Sequence, residues 1–205
     1  PAASCAGLVN PKGRLSLGDK LGAGDAIVLL ASSGIHANGL SLARKLVERM
    51  PEGYLTEIAP ATHPGLSYGA ALLAPTTLYS PVTEALWKAG IAPHYCANIT
   101  GHGWRKLLRH PSALTYRIHH VPAVPPVLSF IQRHANQDDR EAYSTLNMDA
   151  GFALFVPAAE AERAVEIARA QGVEALVAGT VEAGPKQVLI EPIGVSFSDN
   201  DLQLR

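Results

Sequence analysis

Cysteine is nearly absent from this 205-residue chain: there are two, Cys5 and Cys96, far apart and in no CxxC or metal-ligand spacing. They read as small buried apolar residues of a protein kept in a reducing cytoplasm. No apolar run approaches the ~20 residues that span a bilayer, and no charged start precedes an apolar stretch, so neither a membrane helix nor a signal peptide is expected. An excess of either charge is also missing. Seventeen Lys+Arg against eighteen Asp+Glu give a net charge of −1, which speaks against nucleic acid or an anionic membrane as partner. There is no GxxxxGK[ST] or GxGxxG loop, so the chain brings no standard nucleotide-binding turn. Without GxSxG it has no serine-hydrolase elbow. Histidines 63, 94, 110, 119 and 120 form no HxH or HExxH arrangement, and His134 reads as a surface residue. His119 and His120 fall on a predicted strand, where neighbouring side chains point to opposite faces, so no metal site is expected.

With 47% apolar residues, the chain can build one sizeable core. Ala2 to Val9 reads as a strand cut off at its beginning, and a start at Pro1 rather than Met suggests a piece of something longer. Ala26 to Ala31 is a short continuous apolar run that suits a strand buried on both faces. Leu40, Ala43, Leu46 and Val47 mark a helix that Pro51 stops. Residues 52–75 are loop-rich. Helices are predicted over 81–88 and 127–134, with a turn or helix start over 136–143. Tyr116 to Val121 and Gly151 to Val156 read as strands. Ala158 to Gln171 is the cleanest helix, closed by Gly172. Ala175 to Val181 and Gln187 to Ile190 are two strands with a hairpin-like ending. The fold class is therefore α+β, a mixed sheet with helices packed on it.

Two junctions carry the chemical interest. At Ser32-Ser33-Gly34-Ile35-His36-Ala37-Asn38-Gly39 a buried strand gives way to glycine and then to a helix. Glycine permits close backbone approach, and a helix's first turn presents unpaired N–H groups, which together suit a phosphate monoester. His36 and Asn38 add side-chain donors or acceptors, and His36 titrates near neutrality. The same residues equally admit a helix N-cap by Ser33 or Asn38 with His36 idle. The second junction is Asn98-Ile99-Thr100-Gly101-His102-Gly103-Trp104, which reads either as another backbone cradle, as a mobile flap, or as a turn with an exposed His102.

Several segments, in order, resemble the AIR synthetase (phosphoribosylformylglycinamidine cyclo-ligase) family. Ser32 to Ser41 is similar to its SSGxHSNGxS segment, and Leu73-Ala74-Pro75-Thr76-Thr77-Leu78-Tyr79 to L-x-P-T-x-x-Y. Ile99-Thr100-Gly101-His102-Gly103 stands where the family has ITGGG. Val124-Pro125-Pro126-Val127 and Tyr143-Ser144-Thr145-Leu146-Asn147-Met148 resemble VPPIF and Y-x-T-F-N-M. Gly179-Thr180-Val181 resembles the closing strand. Two departures stand out: His102 replaces the central glycine of ITGGG, and Trp104 replaces the following leucine.

The resemblance implies the C-terminal, substrate-side domain of a two-domain enzyme. Residues 1–20 would be a remnant of the N-terminal ATP-binding domain or a linker, and residues 21–205 the C-terminal domain. ATP and Mg would be held mainly by the other half, with none on this chain alone; its partners would be that N-terminal domain, a second copy in a homodimer, and a phosphorylated small molecule. The implied reaction activates an amide oxygen with ATP, after which an internal amine closes an imidazole ring. Substrate contacts are expected from Ser32, Ser33, Gly34, Asn38, Gly39, Thr100, Gly101 and Gly103, with His36 and His102 as candidates for proton transfer. Two other readings stay open. One is another kinase or synthetase of the same superfamily, with His102 and Trp104 shaping a new pocket. The other is a stand-alone ligand-binding domain without enzymatic activity.

Overall fold

The computed structural model describes residues 4 and 6–202. Its strands are β1 (Asp25–Ala31), β2 (Tyr95–Asn98), β3 (Leu114–Ile118), β4 (Ala150–Pro157), β5 (Ala175–Ala183), β6 (Gln187–Ile190) and β7 (Val195–Ser198). Its α-helices are α1 (Leu40–Val47), α2 (Tyr68–Leu72), α3 (Ser80–Lys88), α4 (Pro126–His134), α5 (Asp139–Thr145) and α6 (Ala161–Ala170). The strands form one sheet in the order β2-β4-β1-β5-β3-β6-β7.

All neighbours are antiparallel except β3 and β6, which run parallel. The sheet is therefore mixed, as the sequence predicts, but its ending is not a β5–β6 hairpin. Strand β3 lies between them and pairs with both. The hairpin is instead β6–β7, whose turn passes through Gly194 at φ 63°.

Strand β1 shows why the layers form as they do. Ala26, Val28 and Leu30 face a core shared with Val82 and Leu86 of α3 and with Ala161, Ala164, Val165 and Ala168 of α6. Ile27 and Leu29 face the opposite core, with Ala43 of α1, Tyr68 of α2 and Leu128 and Ile131 of α4. Both faces of β1 are thus covered by helices, so the strand reads as a continuous apolar run rather than an alternating one. The small residues along α6 let it lie close to the sheet, and Gly172, at φ 76°, ends it.

Other expectations are adjusted. Cys5 and the opening residues of the Ala2–Val9 run lie outside the described residues. Ala6 to Val9 makes no strand, with Leu8 and Val9 exposed, because it meets no partner strand. Residues 12–20 pack on the domain: Arg14 pairs with Glu84 and lies over Trp87, Ser16 bonds to carbonyls of Pro93 and His94, and His110 meets Gly18 O. His119 and His120 fall beyond the end of β3, so strand alternation does not govern them, and His119 pairs with Glu191. Among the described residues, no helix is long and apolar enough to cross a membrane.

Candidate functional site

Strands β1 and β2 both run antiparallel to β4, which lies between them. The C-terminal ends of β1 and β2 and the start of β4 therefore share one end of the sheet. The Ser32–Gly39 turn leaves β1 there, the Ile99–Gly103 turn leaves β2, and Asn147-Met148-Asp149 leads into β4. Backbone bonds join them: Ser32 N–H donates to Asp149 O at 2.9 Å, and Ile99 N–H to Gly151 O at 2.9 Å. The two turns also lie side by side: a Cβ built on Gly101 would sit 3.5 Å from Asn38 Oδ1. The amide of Asn38 donates to Thr145 O at 2.7 Å, which fastens the first turn to the end of α5.

The first turn depends on left-handed backbone at His36 (φ 55°) and Gly39 (φ 76°). Gly39 is the N-cap of α1 and no side chain caps the helix, so neither Ser33 nor Asn38 plays that part. The first-turn N–H groups of α1 are left without a side-chain acceptor, which suits an anion. His36 is buried. Its Nε2 accepts the Ser33 N–H at 3.2 Å and lies 3.0 Å from Ser33 Oγ, which also donates to Pro75 O at 2.9 Å. Burial lowers the His36 pKa, which favours the neutral imidazole whose Nε2 accepts from Ser33. Ser33 is exposed and connects this buried base to the surface.

In the second turn His102 is exposed and left-handed at φ 75°. Burial, and then Arg105, Lys106 and Arg109, lower its pKa. Gly101 and Thr100 are partly exposed beside it, whereas Gly103 is buried against the carbonyls of Tyr143 and Leu146. Gly103 therefore packs the turn onto α5. Trp104 is fully buried, with its indole N–H donating to Asn147 O at 3.2 Å, so it shapes no surface pocket. Arg105 binds the carbonyls of His102, Ser144 and Asp201 and clamps the turn in place.

Four residues that meet the site, Asn147, Asp149, Pro75 and Tyr79, are not among the site residues expected from the sequence. Asn147 is fully buried and its amide donates to Ser32 Oγ and to Gly34 O. Asp149 is also fully buried and accepts the Tyr143 hydroxyl. The available signal was an Asn-x-Asp pair set among apolar residues just before a buried strand. Pro75 and Tyr79 meet the same site from another segment: Pro75 O accepts from Ser33, and the Tyr79 hydroxyl donates to Ala31 O. Val127 lies against Gly34. Segments far apart in sequence thus converge at one end of the sheet.

Among the described residues no group of three or more His, Cys, Asp or Glu side chains converges as a metal ion would require. A groove of about 390 Å³ lined by Ile58, Thr62, Val124 and Arg133 shares no residue with the two turns.

The model of the family described as AIR synthase related protein, C-terminal domain, matches residues 22–191. A phosphoribosylformylglycinamidine cyclo-ligase of Methanococcus vannielii is 38% identical over 176 residues, covering 83% of this chain and 48% of that protein. One from Lachnoclostridium phytofermentans is 31% identical over 189 residues, covering 90% of this chain and 54% of its own length. The chain thus spans about half the length of the curated relatives it matches. Among solved structures, the hydrogenase maturation protein HypE of E. coli shares the fold at TM-score 0.55 and 16% identity, over 93% of this chain and 53% of that one.

Proposed function

Because the chain belongs to the AIR synthase related protein family as a C-terminal domain, we propose that it is the substrate-side half of an ATP-dependent cyclo-ligase, one that converts formylglycinamidine ribonucleotide to aminoimidazole ribonucleotide. The observation that carries this reading is that the two glycine turns lie side by side at one end of the sheet, Asn38 near Gly101. One small ligand can meet both at once. The uncapped start of α1 and the backbone around Gly34 and Gly39 hold the substrate phosphate. Thr100 and Gly101 form the adjoining wall. Neutral His36 accepts a proton through the exposed Ser33 hydroxyl, 3.0 Å from its Nε2. When bound, ATP supplies the activation of the amide oxygen; its ligands lie in the other half of the enzyme.

A second reading draws support from His102, which stands exposed at the rim where the family pattern expects glycine. It makes the protein a kinase or synthetase of the same superfamily acting on a different phosphorylated amide.

Incubating the full-length gene product with Mg-ATP and formylglycinamidine ribonucleotide separates the two. The cyclo-ligase reading expects aminoimidazole ribonucleotide and ADP in equal amounts. ADP released only with another phosphorylated amide supports the second reading, and turnover with neither removes both.

A further inference from the structure

We propose that Asp149 is a positioning residue of the candidate site, holding the two glycine turns in register through its backbone carbonyl and its protonated carboxyl, so that ligand affinity falls as that carboxyl ionises. The inference rests on reading the two turns as one site. Asp149 is 0% exposed. Its Oδ2 accepts the Tyr143 hydroxyl at 2.5 Å, while its Oδ1 has no partner. None of the ion pairs among the described residues includes it. A buried carboxylate with an unfilled oxygen and no cation is strongly disfavoured, whereas the neutral acid is not.

The surroundings connect this group to both turns. Ser32 of the first turn donates its N–H to Asp149 O at 2.9 Å. Tyr143, which clasps the carboxyl, places its own carbonyl against Gly103 of the second turn. Asn147, two residues away, reaches Ser32 and Gly34 on one side and receives the Trp104 indole on the other. Its Oδ1 is likewise buried and unpartnered. Charge appearing at Asp149 therefore falls on a cluster bonded to both turns.

Burial pushes the Asp149 carboxyl up to about 7; the Tyr143 hydrogen bond and the nearby N–H dipoles of Asp149 and Ala150, neither in hydrogen-bonding geometry with Oδ1, pull it down. Tyr143 is the titratable group set against it; its own phenol is held far above neutrality by burial and by Asp149, with Asp139 adding to this from the start of α5. With the folded pKa above the ordinary carboxylate value, the stabilising contribution of Asp149 is full below about pH 4. It declines as pH rises toward 7 and stays low beyond.

The test follows the Trp104 indole N–H and Ser32 amide resonances of the chain from pH 5.5 to 8.5, with no ligand present. Wild type is expected to show a shared inflection near neutrality that Asp149→Asn abolishes. Tyr143→Phe is expected to move it upward, because the hydroxyl that lowers the carboxyl's pKa is gone. An inflection that survives in Asp149→Asn, or that is missing from wild type, overturns the proposal. In the full-length gene product, the Kd for formylglycinamidine ribonucleotide should weaken about tenfold from pH 6 to 8. The same interval should change Asp149→Asn much less. Equal slopes overturn the link to affinity. No binding at any pH overturns the proposed substrate and that link together, while the resonance titration still decides whether Asp149 registers the turns.

Discussion

Replacing Gly103 with alanine is expected to lower the Tm by roughly 10 °C, among the most damaging single changes near the site. Gly103 has φ 52°, a region that costs an alanine about 1–2 kcal/mol. The added Cβ would also run into the backbone carbonyls of Tyr143 and Leu146, and backbone cannot rotate aside as a side chain can. A total of about 3–5 kcal/mol follows, which in a chain of this size moves Tm by 2–4 °C per kcal/mol. Gly101→Ala is the contrast. Its Cβ would meet only Asn38 Oδ1, at 3.5 Å, an ordinary contact. Thermal melts of the two variants should therefore differ widely although the positions are two residues apart. A loss below about 3 °C for Gly103→Ala contradicts the packing described here.

His36→Asn is expected to reduce kcat/KM by about 10²–10⁴ in the full-length enzyme while changing Tm by only a few degrees. Asparagine tolerates the left-handed backbone that His36 adopts at φ 55°, so the turn should survive. The substitution removes the neutral Nε2 that accepts from Ser33. Because burial lowers the imidazole's pKa, wild-type kcat at saturating substrate should decline on acidification as the ring takes up a proton. The asparagine variant should lack that decline. Steady-state kinetics across pH checks both points, and an unchanged kcat/KM takes His36 out of the reaction.

Much of the scaffold was legible because local patterns determine it. The apolar run of β1, the stripe of α1 and the alanine face of α6 each report burial that the fold then provides. Strand pairing was not legible in the same way. Nothing within 175–190 signals that β3, more than fifty residues earlier, inserts between β5 and β6. The turn 184–186 carries hairpin chemistry, yet it spans a neighbouring strand.

The site divides similarly. Glycine-rich ends of strands marked both turns, and their adjacency follows from β1 and β2 flanking β4. The buried polar residues beneath them escaped notice. Asn147 and Asp149 resemble ordinary turn residues until tertiary packing removes them from water. Trp104 is the opposite case: standing where the family has leucine, it was expected to help shape a new pocket, but its indole lies inside the core.

The turns after β1 and β2 are proposed to grip one phosphorylated ligand together. Titrating the full-length gene product with formylglycinamidine ribonucleotide, while following the backbone amide resonances of Gly34, Gly39 and Gly101, tests it most directly. All three should shift along one saturation curve with a single Kd. Shifts confined to one turn, or two turns saturating with different constants, would contradict a shared site.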